Sequence, residues 1–480
     1  MYTLTNTFKK NIDTYIFILC VDYKNQLSKI EKNLNIKIPK EIYKKFSSNK
    51  TDYLDLYIEN KHLILVGYGK NKLCEKKYLY EISGMIGKNI STDDKKYFIY
   101  GAKDLDMIIA QISGLMLGYY NFNKYKTDIQ NKEDKTKIYL YSPIKKFNKY
   151  IEERMSTVLI QNEIRNLVNE PANILNSSTY EKYIRKNIPG NINIKVYNNK
   201  DLEKLGLNLI LAVNKGSHNP AKLIVLNYTG NPSAIKKNNI CLIGKGVMFD
   251  TGGLDIKYGD FADMKTDMTG SAIAFGVIKA CAELKKKVNV IALLPIVENS
   301  VDATSMKPGD IVKCYNGKTV EIIDTDAEGR LILADAIAFS IKYKPTLIID
   351  IATLTGDAAS IFGELSSVII GNNNQFIEKY KKISNDENEK VWELPMWEEY
   401  VELTKSSIAD YKNYTIGIKA GAIMGGAFLS NFIPIIDKKP IPWVHLDIAG
   451  VSYLKDATET RNAGATGETF HSIYNLIIHD

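Results

Sequence analysis

Between Glu321 and Asp335 the sequence E-I-I-D-T-D-A-E-G-R-L-I-L-A-D places Asp324, Asp326, Glu328 and Arg330 in one short polar stretch at the end of an apolar run. Carboxylates this close repel one another, and one or two divalent cations among them would reverse the sign of that energy. A second cluster lies upstream, where Ile240 to Ile243 runs into G-K-G-V-M-F-D-T-G-G-L-D-I-K, carrying Lys245, Asp250, Asp255 and Lys257. The segment M-K-T-D-M-T-G-S-A adds Asp267 just ahead of a helical pattern through Ala272, Phe275, Ile278 and Ala282. Taken singly, each carboxylate would be a helix cap or a solvated turn residue. Three loops that all offer hard oxygen donors point instead to a metal centre.

Other chemistries fit less well. G-K-T at Gly317 to Thr319 resembles the end of a phosphate-binding loop, but the required upstream glycine position holds Val312. Gly244 and Gly246 follow a strand as in dinucleotide sites, yet the third glycine position is Phe249. The five histidines, His62, His218, His445, His471 and His479, form no H-E-x-x-H pair and read as structural or exposed. No G-x-S-x-G elbow occurs and no cysteine sits in a motif with a histidine, so water is left as the nucleophile.

The elements that must hold these loops follow from apolar patterning. Strands are expected at Tyr15 to Val21, Leu63 to Val66 and Ile138 to Tyr141, with a helix through Leu105, Ile108, Ile109, Ile112 and Met116. The apolar stretch Tyr15 to Val21, which follows Lys9 and Lys10, mimics a signal peptide but is short and runs into Asp22, so it reads as a buried strand. A polar stretch from Tyr119 to Lys137 and Pro143 precede a helix over Glu152 to Val168, which places a linker within Ser142 to Tyr150. Strands then alternate with helices: Leu223 to Leu226, Ile240 to Ile243, a helix after Met268, Val288 to Leu294, Val320 to Ile323, a helix after Leu331, and Leu347 to Asp350. The expected fold class is α/β, with a small N-terminal α/β domain (residues 1–145) and a larger catalytic α/β domain (146–480) built on a mostly parallel sheet. Ligands bind such sheets at the carboxyl ends of strands, where both charged clusters are expected to fall.

At 480 residues the chain can bury two substantial cores. Its formal charge of +8 is almost all lysine, dispersed among Asp, Glu and Asn, and no basic stripe with stacking aromatics indicates nucleic acid. The five cysteines, Cys20, Cys74, Cys241, Cys281 and Cys314, are scattered and odd in number, which fits a reducing cytoplasm. No apolar run approaches the ~20 residues needed to span a bilayer.

The two long motifs resemble the signatures of the leucyl (cytosol) aminopeptidase family, close to G-K-G-x-x-F-D-x-G-G and N-T-D-A-E-G-R-L. N-E-P-A-N (Asn169 to Asn173), P-G-D-I-V (Pro308 to Val312), G-K-T-V-E (Gly317 to Glu321), H-L-D-I-A-G (His445 to Gly450) and A-G-A-T-G (Ala463 to Gly467) resemble family segments in the same order. The resemblance covers roughly Asn162 to Leu476. It implies that Lys245, Asp250, Asp267, Asp326 and Glu328 hold two divalent ions, Zn²⁺ or Mn²⁺, with Asp250 and Glu328 bridging. Charge agrees: four carboxylates balance two dications provided Lys245 is a free amine. The resemblance also implies that Lys257 stabilises the oxyanion and that Arg330 holds a bicarbonate as proton relay. Arginine's planar fork suits such an anion. Met264, Thr353, Gly356 and Ala449 match family pocket residues and, being small or apolar, imply an uncharged first residue such as leucine in the peptide substrate. A cytoplasmic homohexamer is the implied assembly.

The chain departs from the family pattern in four places. Asp324 replaces the usual Asn, the interval from Lys257 to Asp267 is one residue shorter, Tyr258 stands where proline is common, and Ser452 stands where methionine is expected. Two further readings compete: a scaffold that keeps the metal loops without turnover, and a dinuclear phosphoesterase. The latter leaves a metal-binding lysine unexplained and lacks the histidine ligands common in such sites.

Overall fold

The computed structural model describes residues 2–19, 23–46, 53–68, 76–90, 95–100, 102, 104–127, 134–142, 145–236, 238–259 and 261–479. The end of the expected Tyr15 to Val21 strand, Pro143, Cys20 and Cys74 lie outside the described residues. The chain divides into two compact units, residues 1–159 with 455–463, and residues 160–454 with 464–480.

The first unit is built on a six-stranded sheet. Its strands are β1 (Tyr2–Thr5), β2 (Thr14–Leu19), β3 (Tyr53–Ile58), β4 (Lys61–Gly67), β5 (Lys96–Tyr100) and β6 (Lys137–Tyr141), in the order β1-β6-β5-β2-β4-β3. Every pair is parallel except β3 with β4. An unbroken apolar run such as Y-I-F-I-L is what a strand covered on both faces requires. Tyr15 and Phe17 accordingly pack with Leu27, Ile30 and Leu34, while Ile16 turns to Ile82, Ile86, Ile108 and Ile112.

The second unit carries a nine-stranded, mostly parallel sheet. Its strands are β7 (Ile192–Asn198), β8 (Lys222–Thr229), β9 (Ile240–Gly244), β10 (Gly246–Asp250), β11 (Asn289–Asn299), β14 (Leu347–Ala352), β15 (Ser367–Gly371), β16 (Val391–Glu393) and β20 (Trp443–Asp447). Their order is β16-β15-β20-β14-β9-β11-β8-β7, with β10 parallel beside β11. The neighbours β20, β14, β9 and β11 are parallel, so their carboxyl ends open on one edge. Apolar side chains fill both faces: Ile349, Ile351, Val444 and Leu446 on one, Ile348, Ala352 and Trp443 on the other. The helix Thr269–Glu283 packs on the first face and the helix Gly329–Phe339 on the second.

One expected strand belongs elsewhere. The run before Asp324 is not a strand of the main sheet. It forms β13 (Thr319–Glu321) of a separate three-stranded sheet with β12 (Ile311–Lys313) and β17 (Tyr411–Lys412). Only Val320 in it is buried, whereas all six residues of β14 are. A lone buried residue cannot support a strand covered on both faces. Two short pairs, β18 (Ile435–Ile436) with β19 (Lys439–Pro440) and β21 (Tyr453–Leu454) with β22 (Gly464–Ala465), complete the strands. No described helix is long and apolar enough to cross a membrane.

Away from these loops, Glu389 is a buried carboxyl at the start of the helix Phe470–Ile478. It accepts from the backbone N–H of Ser472 (2.8 Å) and of His471 (3.4 Å). Burial, then the charge of Glu468, pushes its pKa up to about 8. A carboxyl whose folded pKa is raised costs stability once pH exceeds its unfolded value, about 4.3, and the cost grows until the folded pKa is passed. Glu389→Gln is therefore expected to melt above the wild type by a margin that widens between pH 5 and pH 8.5. Thermal melts across that range check it, and a constant margin would refute it.

Candidate metal centre

The carboxyl ends of three adjacent parallel strands deliver the first components. Lys245 follows β9, Thr353 follows β14 and Ala449 lies two residues past β20. The Lys245 backbone is held from two sides: its N–H donates to Ile351 O (3.0 Å) and its carbonyl accepts from Ser271 N (2.8 Å). That pins the base of its side chain between β14 and the start of the helix Thr269–Glu283. Asp250 closes β10, Asp267 lies in the turn Ala262–Met268 before that helix, and Asp326, Glu328 and Arg330 surround the first turn of the helix Gly329–Phe339.

These residues converge. One oxygen each from Asp250, Asp326 and Glu328 lies within 4.8 Å of the others. Lys245 Nζ stands 2.6 Å from Asp267 Oδ1 and 2.9 Å from Glu328 Oε1, and donates to Thr353 O at 2.8 Å. Lys257 Nζ lies 2.7 Å from Asp250 Oδ2 and 2.5 Å from Asp326 Oδ1. All five residues expected from sequence as metal donors, together with Lys257, thus share one centre.

Two glycines make the convergence possible. A Cβ on Gly329 would lie 2.4 Å from Lys245 Cε and 2.7 Å from its Nζ, so any larger residue there would push the lysine end from its present place between Asp267 and Glu328. Gly252, at φ +86°, lets its loop turn back with Asp255 O 2.4 Å from where a Cβ would be.

Electrostatics show what the cluster lacks. Two lysines against four carboxylates leave an excess of negative charge among these six buried or half-buried side chains. Asp326 is pushed up to about 7, by burial first and then by Asp250 beside it. Burial and neighbouring carboxylates likewise hold Asp267 and Glu328 above the ordinary carboxylate range. Burial opposes the charge on Lys245, but Asp267, Glu328 and Asp250 together outweigh it and raise its pKa. Asp267 Oδ2 is buried with no hydrogen-bond partner. An orphaned oxygen beside mutually repelling carboxylates is the donor set that a hard dication satisfies, and a dication there inverts the local charge logic. The residues fit a metal.

Arg330 is buried, its Nη1 donating to Asn413 O at 2.8 Å while its Nε has no hydrogen-bond partner. Burial is the first cause of its lowered pKa. A guanidinium in the first turn of a helix, on the positive end of the dipole, calls for an anion.

The residues expected to line the first-residue pocket are placed as follows. Thr353 Oγ1 donates to Asp267 Oδ1 (2.7 Å). Asp447 accepts from Leu354 N, Thr355 Oγ1 and Ala449 N, tying the loop before Gly356 to Ala449. Gly356 faces open space, and Met264 is half-buried in the turn Ala262–Met268. Ser452 is buried and donates to Ala449 O, whereas Tyr258 is 95% exposed. His445 is buried against Asp350 (2.5 Å) and belongs to the core rather than to the acidic cluster.

Sequence reading missed the groups that join the two charged loops. Thr325 Oγ1 receives the Asp255 N–H (2.8 Å) and donates to Gly252 O (2.7 Å), while Asp255 Oδ2 accepts Thr325 N–H (2.8 Å). Asn299 Nδ2 donates to both Asp250 Oδ1 (2.8 Å) and Thr325 O (3.0 Å). Uncharged side chains far apart in sequence carry no spacing signal.

Asp324 Oδ1 accepts the Asp326 N–H at 2.8 Å, a role an asparagine oxygen would also fill. Burial raises the Asp324 pKa. Asp324→Asn is expected to keep the loop and, by removing a negative charge beside Asp326, to move the acidic limb of the kcat/KM profile to lower pH. A superimposable limb in the variant would refute this.

A parallel-sheet α/β unit with an acidic, lysine-containing cluster at its strand ends offers the donor set of a metal-dependent enzyme. Residues 162–474 match the model described as "Cytosol aminopeptidase family, catalytic domain". The chain is 37% identical over 435 residues to the "Probable cytosol aminopeptidase" of Alkaliphilus oremlandii, covering 88% of this chain and 85% of that one. It is 35% identical over 478 residues to the protein of the same name from Sulfurihydrogenibium sp., covering 95% and 93%. In fold it matches the bottromycin maturation enzyme BotP, solved alone and in complex with Mn, at a TM-score of 0.85. Coverage is 98% of this chain and 99% of that one, at 22–23% identity. The chain belongs to the cytosol aminopeptidase family and is a metallo-aminopeptidase, a hydrolase acting at peptide N-termini.

Proposed function

We propose that this aminopeptidase releases leucine or a similar uncharged residue, using two divalent ions, Zn²⁺ or Mn²⁺, and a water bridging them. The reading rests above all on the approach of Asp250, Asp326 and Glu328 to within 4.8 Å, with Lys245 bonded to Asp267 on the same centre. Asp250 and Glu328 would bridge the ions, and Lys245, Asp267 and Asp326 would complete their ligands. When bound, such a pair supplies Lewis acidity and a water acidified towards neutrality. The Mn complex of the structural neighbour makes Mn²⁺ a natural ion to test.

The chain's own groups do the rest. Lys245 must lose its proton to donate, a change that neighbouring dications would favour and that the bare carboxylates oppose. Lys257, partly exposed beside Asp250 and Asp326, would polarise the scissile carbonyl and steady the oxyanion. Arg330, whose Nε has no hydrogen-bond partner, would hold a bicarbonate, which would supply a proton relay. Met264, Thr353, Gly356 and Ala449 bring no charge to the first-residue pocket, which supports an uncharged side chain.

We assign catalysis to residues 146–480, the larger α/β domain, which follows the small α/β domain of residues 1–145. The proposed assembly is a cytoplasmic homohexamer. The described cysteines, Cys241, Cys281 and Cys314, are buried in the apolar core. The test is the purified protein with Mn²⁺ or Zn²⁺ against a leucyl amide, its N-acetylated form and a phosphodiester. Cleavage of the unblocked amide alone is expected; cleavage of the phosphodiester, or of no substrate, overturns the proposal.

A further inference from the structure

Asn413 is 1% exposed and directly follows β17, more than eighty residues after the loop it serves. Its Oδ1 accepts the N–H of Ile323 (2.7 Å) and of Asp324 (3.3 Å), and its Nδ2 donates to the carbonyls of Asp324 (2.6 Å) and Ala327 (3.3 Å). Its backbone N–H donates to Glu321 O (3.1 Å) and its carbonyl accepts from Arg330 Nη1 (2.8 Å). Every one of these bonds ends within residues 321–330, the segment that also carries Asp326 and Glu328.

From Ile322 to Glu328 the chain is neither helix nor strand, so its backbone groups need partners from elsewhere. A primary amide is the side chain that presents an acceptor and a donor side by side, as the alternating N–H and C=O groups of this loop require. Aspartate would keep the acceptor, lose both donations and set a carboxylate against the Asp324 carbonyl. Alanine would remove the bonds to the Ile323, Asp324 and Ala327 backbone and keep only the main-chain contacts to Glu321 O and Arg330 Nη1.

We infer that Asn413 is the positioning residue that sets the distances among Asp326, Glu328 and Arg330, holding the loop with its amide and the guanidinium with its own carbonyl. The inference rests on the reading of Asp326 and Glu328 as metal donors. Groups that orient metal ligands from behind are worth about 10–100-fold in metal affinity or turnover.

The test uses the full-length protein as Asn413→Ala and Asn413→Asp, with Asn289→Ala as a control. Asn289 is also a buried amide bonded to loop backbone, at Asn231 N, Asn231 O and Asn238 O, and none of its bonds reaches the acidic cluster. Mn²⁺ affinity by calorimetry, kcat and KM on a leucyl amide, and the metal-free melting temperature are read for each. Both Asn413 variants are expected to lose about 10–100-fold in Mn²⁺ affinity or kcat with KM within threefold, while Asn289→Ala melts lower but keeps both.

Asn413 variants that melt lower yet bind Mn²⁺ and turn over within threefold of wild type would overturn the inference. So would equal losses in Asn289→Ala. Should Asn413→Ala not fold, Asn413→Asp, which keeps the acceptor, decides. Asp326→Asn separates the two readings. If wild type and Asp326→Asn both bind no Mn²⁺, the metal assignment itself fails; if only Asp326→Asn loses Mn²⁺ and the Asn413 variants keep both Mn²⁺ affinity and kcat, the Asn413 inference alone fails.

Discussion

Glu328→Gln is expected to lower kcat on an unblocked leucyl amide by about a thousandfold or more, the scale on which electrostatic and metal contributions to such reactions are felt. The same substitution is expected to raise the melting temperature of the metal-free protein. The two effects have opposite signs because they report on different partners. With ions bound, Glu328 would be a shared ligand, and an amide cannot replace its charge. Without them it is 1% exposed, and burial followed by the charge of Asp250 lifts its pKa above the ordinary 4.5. An acid with a raised folded pKa costs stability wherever it is ionised in the unfolded chain, so the gain should be present at neutral pH and fade as pH falls below about 4. Lys245 keeps Asp267 as a partner in the variant. Melts in a chelator at pH 7 and pH 4, alongside kcat with Mn²⁺, measure both effects. Full activity would refute the role of Glu328 as a shared ligand, and a metal-free variant that melts lower at pH 7 would refute the stability effect.

Arg330→Lys is expected to reduce kcat by about 10²–10⁴-fold, the range attributed to a positioned acid or base. The wild type should gain activity when bicarbonate is restored to a carbonate-free buffer, and the variant should not respond. Arg330 is buried with Nη1 on Asn413 O and Nε without a partner. Lysine could keep one contact but cannot offer a planar pair of donors. If the wild type is indifferent to bicarbonate while the variant is slow, the guanidinium acts without a carried anion.

Much of this was legible in the residues because charge and spacing are local signals. The two motifs place Lys245, Asp250, Lys257, Asp326, Glu328 and Arg330 at the edges of recognisable strands and helices, and the structure brings them together with Asp267. Apolar runs such as L-I-I-D-I-A announced β14 for the same reason: a strand buried on both faces must be apolar almost throughout. What stayed hidden depends on contacts between remote segments. Val320 gave no sign that its strand joins a small separate sheet, because partner choice is decided by β12 and β17 rather than by its own three residues. Asn299, Thr325 and Asn413 are ordinary polar residues until the loops they join have been brought side by side.

The position of β20 has a consequence for biosynthesis. It lies between β14 and β15 although it is made more than seventy residues after either, and the strap at Asn413 also emerges late. While the ribosome is still translating that stretch, β14 and β15 have no neighbour on their facing edges, and such bare edges invite aggregation. The newborn polypeptide is therefore expected to need shielding over this interval, and the amide that bonds the loop of Asp326 and Glu328 emerges only near its end.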